Sequence, residues 1–392
     1  MATSLCSKPV GNQYIAIDFG TTRTRVAVME ENTVKVIQNI PSLVSMTEKN
    51  ELIIGIAAKE MVVTDPTRVY EIKRLLGRRF DDPETQNEMK MLPYKMVRGP
   101  NGQAWIEANG RAHNPTEIVA SFLVKLKKDA ELYLGKSVSD ALITYPSEWH
   151  AEQFGALIHA GLLARLDEQG AIMATMAAAL SYDLIKTEGQ TIAVVILGGR
   201  TCDVSILKVS DGKYEHIASR HDARLGGNDF DNVLVEFLVD EFKKTEAIDL
   251  TTDKSTLQRL IEAAEKAKIE LSSTIETVID LPFLTSDLSG AKHLNITLTR
   301  LKFESLVNNL IERTRIPCEI CLKRAGITSK GVDEVLLVGG MARVPKLQKV
   351  VAEIFGKDPT LSTEANPDEA VVVGAAAAVR AGHLPANFYA CC

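Results

Sequence analysis

At 392 residues, with 45% hydrophobic and 24% charged side chains, the chain has an ordinary globular composition and is longer than one hydrophobic core usually supports, so two lobes are expected. Its net charge of -6 argues against nucleic acid or an anionic membrane as the main partner, and no run of residues is long and apolar enough for a membrane span. The six cysteines are too few and too scattered for a disulfide framework, which points to a reducing compartment.

Residues 1–13 contain no acid but also no arginine, and read as a loose end or the remnant of a transit peptide. From Tyr14 an apolar strand runs into Asp18-Phe19-Gly20-Thr21-Thr22, and a second strand follows over Val26–Met29. A hairpin at Glu30-Glu31-Asn32 leads to a third strand at Val34–Ile37. The basic cluster Lys73, Arg74, Arg78 and Arg79 is answered at once by Asp81 and Asp82, so a solvated or lobe-bridging role is expected of it. Asn114 and Pro115 open a helix whose apolar stripe of Ile118, Phe122, Leu126 and Ala130 runs to Gly135. A buried strand at Ala141–Thr144 stops at Pro146, a helix over 151–166 follows, and the small residues of 173–180 suit close helix packing.

At Ile192 the plan restarts. A strand meets Ile196-Leu197-Gly198-Gly199-Arg200-Thr201 and returns as Val204–Leu207, with Asp211-Gly212 as the next hairpin turn. Laid over residues 18–25, residues 196–203 are the same strand, phosphate-sized turn, strand unit written twice. Glycine turns of this kind leave backbone N–H groups free to converge on an anion, and a carboxylate at the head of the turn can hold a metal or its waters. The first copy has that carboxylate, Asp18; the second has Ile196 in its place and Arg200 where another glycine is expected. Helices follow over 231–244 and 257–271, then a hairpin of Val278–Leu281 with Leu294–Leu298. A strand at Val335–Val338 runs into Gly339-Gly340, and a last helix is expected over 367–381 with Asp368 and Glu369 in its first turn. Cys318 and Cys321 have metal-ligand spacing but lack a second pair, so no zinc site is expected. Two sheet-plus-helix halves whose turns face a shared cleft make the economical α/β architecture.

These residues carry a resemblance. The runs 15–22, 72–82, Leu225–Asp231, Glu262–Ser273, Leu337–Pro345 and Asn366–Val371 resemble the nucleotide-binding domain of the seventy-kilodalton heat-shock protein family, of the mitochondrial and bacterial type. The resemblance implies the actin-like ATPase fold, with lobe I over 14–190, lobe II over 191–384 and a tail at 385–392. It implies ATP or ADP as ligand, with Mg2+ possible, and a mitochondrial or alternatively cytoplasmic placement. Carried over residue by residue, it places phosphate contacts at Gly20, Thr21, Thr22, Gly198, Gly199 and Thr201. Adenosine contacts fall on Glu265, Lys268, Ser272, Gly339 and Gly340, with Arg343 stacking on the base. Metal ligation falls on Asp18 and Asp203, and Lys73 and Thr201 are remnants of the hydrolytic machinery. Arg200 either clashes with the phosphates or pairs with them.

The resemblance also exposes departures. A glutamate required for hydrolysis falls on Ala174, an aspartate on Ile196, and the arginine that works with the proline matching Pro146 falls on Phe154. Losing groups that position the attacking water removes most of what phosphoryl transfer needs. A further expectation comes from the end of the chain, soon after Leu384, where the family continues into a peptide-binding domain: this chain should hold no unfolded-peptide clamp. The expected role is a pseudo-ATPase subunit of a larger assembly that works through protein partners, with Ser147–His150 and Phe154 as candidate contacts. The alternative is a weakly active chaperone or co-chaperone meeting a nucleotide-exchange partner. Sugar kinase chemistry lacks a clear cleft aspartate, and His150 and His159 lack triad partners.

Overall fold

The computed structural model describes residues 14–31, 33–61, 69–90, 92, 94–166, 168–182, 187–361 and 366–380. The N-terminal segment 1–13, Asn32 of the first hairpin and the tail 385–392 lie outside the described residues. Two sheets organise the molecule. The first contains β1 (Tyr14–Phe19), β2 (Arg23–Glu30), β3 (Thr33–Pro41), β4 (Asp140–Tyr145) and β5 (Glu168–Met173), in the order β5-β4-β1-β2-β3. The second contains β6 (Thr191–Leu197), β7 (Cys202–Ser210), β8 (Lys213–Asp222) and, later in the chain, β11 (Glu334–Val338), in the order β8-β7-β6-β11. Each has an antiparallel hairpin at its centre and a parallel strand beside it: β1 pairs with β2 and β4, β6 with β7 and β11. The duplication read in the sequence is thus a duplication of topology.

The outer face of the first sheet is covered by α1 (Pro115–Leu134). Asn114 caps it by accepting from the Thr116 amide at 2.9 Å, Pro115 occupies the first turn, and Gly135 closes it at φ 66°. Its stripe of Ile118, Phe122, Leu126 and Ala130 is fully buried with Ile15, Ile17 and Phe19 of β1. Next, α2 (Ala151–Leu163) stops short of the expected Leu166, because Arg165 turns left-handed at φ 55° and the Leu166 amide reaches back to the Gly161 carbonyl. On the second sheet, α4 (Gly227–Glu246) and α5 (Lys254–Glu270) bury Leu234, Leu238, Phe242, Leu260 and Ala264. The turn between β7 and β8 is the predicted Asp211-Gly212, both with positive φ as a type I′ turn requires. The ribbon of β9 (Glu276–Asp287) and β10 (Gly290–Thr299) leaves Val278, Phe283 and Leu288 exposed. Helix α6 (Pro345–Phe355) follows β11.

A third cluster joins the two sheets. Helices α3 (Ala174–Ser181) and α7 (Ala370–Arg380) lie together between them, burying Ala177–Ala179 and Ala375–Ala376 against Ala16, Ala27 and Leu142 from one side and Val194, Leu207 and Leu336 from the other. Their approach is set by Gly374, where an added Cβ would stand 1.7 Å from the Ala177 carbonyl oxygen. The small residues of 173–180 serve this crossing, as their size suggested. The last helix begins at Ala370 rather than Pro367, so Asp368 and Glu369 precede it in a turn and are not first-turn residues of the helix.

Candidate functional site

Both glycine turns close in the same way. The Gly20 amide donates to the Arg23 carbonyl at 3.1 Å, and the Gly198 amide donates to the Thr201 carbonyl at 3.0 Å. The turns face each other closely: a Cβ at Gly199 would lie 2.4 Å from Thr22 Oγ1. The second turn is also fixed from below, because its Gly198 and Gly199 carbonyls accept from the Gly227 and Asn228 amides at the start of α4. Gly339, at φ 92°, brings the third turn against the Leu197 carbonyl, and Gly340 packs on Asp368. The three predicted turns therefore converge.

The charged residues form two groups around this point. In the first, β1–β2 pairing sets Asp18 opposite Arg25. Asp18 Oδ1 accepts from Thr144 Oγ1 at 2.8 Å and Oδ2 from Arg25 Nη1 at 3.4 Å. Arg25 also lies 3.9 Å from Asp368, and Asp368 lies 3.6 Å from Arg343, which donates to Asn366 at 2.5 Å. In the second, β6–β7 pairing sets Ile196 opposite Asp203, and β7–β8 pairing sets Asp203 opposite His221. Asp203 Oδ1 meets His221 Nδ1 at 2.9 Å and Ser147 Oγ at 3.4 Å, and its Oδ2 accepts from Thr201 at 3.4 Å. Buried Lys73 lies between the groups, its ammonium 5.5 Å from the Trp149 ring centre. Burial pulls the Lys73 pKa below its ordinary value, against the opposing pull of both Asp18 and Asp203.

Burial alone would raise the Asp203 pKa, but His221, its hydrogen bond and Lys73 hold the carboxyl below the usual range. Burial likewise disfavours the His221 imidazolium, and Asp203 and Glu148 outweigh it, holding His221 above its usual value. The pair therefore stabilises the fold when both members are charged. The Asp203 part is present above about 3.9 and lost as pH falls through its lower folded pKa; the His221 part is present below about 6.5 and lost as pH rises through its higher folded pKa. His221→Gln is accordingly expected to lower the unfolding midpoint most near pH 5 to 6 and progressively less above pH 7. Paired denaturation curves across that range check it, and a pH-independent difference would contradict the pairing.

Several expectations are corrected. Arg200, expected to clash with the phosphates or to pair with them, has its guanidinium 3.2 Å from Glu71 and 3.2 Å from Asp229, between two carboxylates. Glu265, Lys268 and Ser272 keep the helical spacing, with Ser272 Oγ donating to the Lys268 carbonyl at 3.3 Å, but differ in exposure. Lys268 is buried, donating to Asp231 at 2.7 Å and to the Gly227 carbonyl at 3.2 Å, and Ser272 lies past the end of α5. Glu265 faces solvent, in a groove of about 470 Å³ that Lys59 and Lys266 also line. The basic cluster divides between the two expected roles: Arg79 is exposed, and Arg74 bridges the two halves. Lys73 is in the cleft, and Arg74 is half-buried, pairing with Glu71 at 2.9 Å and with Glu88, which meets Arg224 at 3.4 Å. Trp149 and Phe154 are half-buried rather than exposed anchors: Trp149 covers Lys73, and Phe154 packs edge-on against Tyr145 at 5.1 Å. Cys318 and Cys321 are core residues, with the Cys321 thiol donating to the Val204 and Ala218 carbonyls. Sequence reasoning missed Arg25 and His221. The signal for the first was present, since the alignment of the two turns sets Arg25 against Asp203.

The family's divalent cation does not fit this donor set. Of the carboxylates around the turns, Asp18 faces the Arg25 guanidinium at 3.4 Å and accepts from Thr144, and Asp203 pairs with His221, with Lys73 acting on both, so side-chain cations already stand beside the acids. The third candidate position is the aliphatic Ile196, and no cluster of three acidic, histidine or cysteine ligands forms among the described residues. Among the described residues no helix is long and apolar enough to cross a membrane.

Comparison with known proteins agrees with this geometry. Residues 14–387 match the family described as Hsp70 protein. The chain is 59% identical over 383 residues, 96% of its length, to the mitochondrial heat shock 70 kDa protein of Solanum tuberosum, of which it covers 56%. It is 58% identical over 377 residues to the mitochondrial heat shock 70 kDa protein of Pisum sativum, covering 94% of this chain and 55% of that one. The chain thus spans about half the length of the curated relatives it matches, and both relatives carry the mitochondrial designation anticipated from the sequence. With paired glycine turns, two duplicated sheets and a family match over nearly its whole length, the chain belongs to the Hsp70 family and carries that family's nucleotide-binding domain.

Proposed function

We propose that this domain binds adenine nucleotide in the cleft between its two sheets, hydrolyses it poorly, and serves a mitochondrial assembly through protein contacts, a nucleotide-exchange partner among them. The convergence of Gly20–Thr22, Gly198–Thr201 and Gly339–Gly340 supports the nucleotide. The observation that carries the loss of turnover is Ile196, set in register with Asp203 where the duplicated unit has an acid, Asp18. Ala174 adds to it: the start of α3 carries a methyl group where the family's glutamate falls, and packs in the core between the sheets. Neither side chain can hold or polarise an attacking water.

The test is turnover by the purified chain, expected near the background without enzyme. Ile196→Asp with Ala174→Glu should raise the rate about tenfold and more than either change alone, because both carboxylates would act on one water. Brisk hydrolysis by the unaltered chain would overturn the reading and favour a working chaperone ATPase. Buried Lys73 between the two acids is the one feature that favours that second reading.

A further inference from the structure

The same cleft, if it binds nucleotide as proposed above, must neutralise a polyphosphate carrying several negative charges. Its carboxylates already face side-chain cations and one acid position is aliphatic, so a divalent cation meets positive charge there and, among the described residues, no cluster of three ligands. The chain itself supplies cations at that place. Arg25 lies beside Asp18 and Lys73 lies between Asp18 and Asp203, and both are buried, at 8% exposure each. Arg25 is the internal counterpart of Asp203 in the duplicated unit, so one carboxylate position of the pseudo-symmetric pair of turns has become a guanidinium.

Arg25 is not used up by its neighbours. It makes one long contact to Asp18 at 3.4 Å and a longer one to Asp368 at 3.9 Å, while its Nε is buried with no hydrogen-bond partner. A guanidinium has five N–H donors, and a buried donor left unmade is costly, so an anion that satisfies it binds with that cost relieved. Guanidinium geometry also matches phosphate oxygens pairwise, which ammonium does not. Lys73 adds a point charge, held above Trp149 and turned toward both halves of the site.

We propose that the cleft takes ADP or ATP as the metal-free polyphosphate, with the Arg25 guanidinium and the Lys73 ammonium in place of a divalent cation. The inference rests on the nucleotide reading and is separable from it. Calorimetric titration of the full chain with ADP, in excess magnesium and again in EDTA, is expected to give several-fold weaker affinity in magnesium, because the cation competes with the protein for the polyphosphate. Affinity that tightens tenfold or more with magnesium would overturn the proposal and leave the nucleotide reading standing. Binding in neither buffer would remove the nucleotide reading and the proposal with it. Arg25→Gln should weaken binding in EDTA by about tenfold or more, and unchanged affinity in a folded variant would overturn the role given to Arg25. A second measurement needs no variant. Adding the protein to a manganese–ADP mixture should raise the free-manganese signal in electron paramagnetic resonance, because ADP is withdrawn without its metal. A fall in that signal would show the metal entering with the nucleotide and overturn the proposal.

Discussion

Gly374→Ala is expected to destabilise the fold by on the order of 4 kcal/mol, at the upper end of what one substitution does. The new Cβ would lie 1.7 Å from the Ala177 carbonyl oxygen, 2.6 Å from its carbon and 2.9 Å from the Ser181 amide nitrogen. All three belong to backbone, so no side chain can swing aside. Helices α3 and α7 would have to separate, and their packing holds both sheets, so the loss reaches Ala16 on one side and Leu336 on the other. The measurement is the denaturant midpoint of the variant against Gly155→Ala in α2. At Gly155 an added Cβ meets nothing within 4 Å, and a gain of up to about 1 kcal/mol is expected from helix propensity. A midpoint for Gly374→Ala near that of the unaltered chain would show that the helices cross less tightly than described.

The second large effect belongs to Arg200. Arg200→Ala should cost about 3 kcal/mol, because it removes the shared cation of Glu71 and Asp229. Glu71 is only 4% exposed and sits in a left-handed conformation at φ 58°, so water cannot readily replace the lost partner. Arg74 remains on its other oxygen at 2.9 Å, which keeps the penalty from being larger. Because the guanidinium is committed to these acids, ADP affinity should change by less than about threefold. Equilibrium unfolding and calorimetry on the same variant read both quantities. A stable variant with much altered ADP affinity would place Arg200 on the phosphates instead.

The sequence made the site's backbone legible and left much of its electrostatics obscure, for a physical reason. The glycine turns are local devices, spelled in six to eight consecutive residues, and their duplication doubled the signal. Ile196 stood out because an aligned copy said what to expect there. The pairings depend instead on register and on distance along the chain. Lys268 meets Asp231 across 37 residues and Asp18 meets Thr144 across 126, and no periodicity announces either. Arg25 reads as an ordinary strand residue until β1 and β2 are placed in register. Lys268, placed on the ligand face by resemblance, is also bound to Asp231 and the Gly227 carbonyl within its own half. The Asp368 side chain, assigned to a helix dipole, proved to be shared between two arginines. In the second case a tertiary partner outcompeted the local role.

The position of α7 between the sheets bears on synthesis as well as on stability. Its residues are made some 350 positions after Ala16, and at ribosomal speeds that is a delay on the order of tens of seconds. Through the later part of that interval one face of the first sheet is covered by α3 alone, and an incompletely covered apolar sheet invites association with other chains. The nascent polypeptide is therefore most open to such association until α7 arrives.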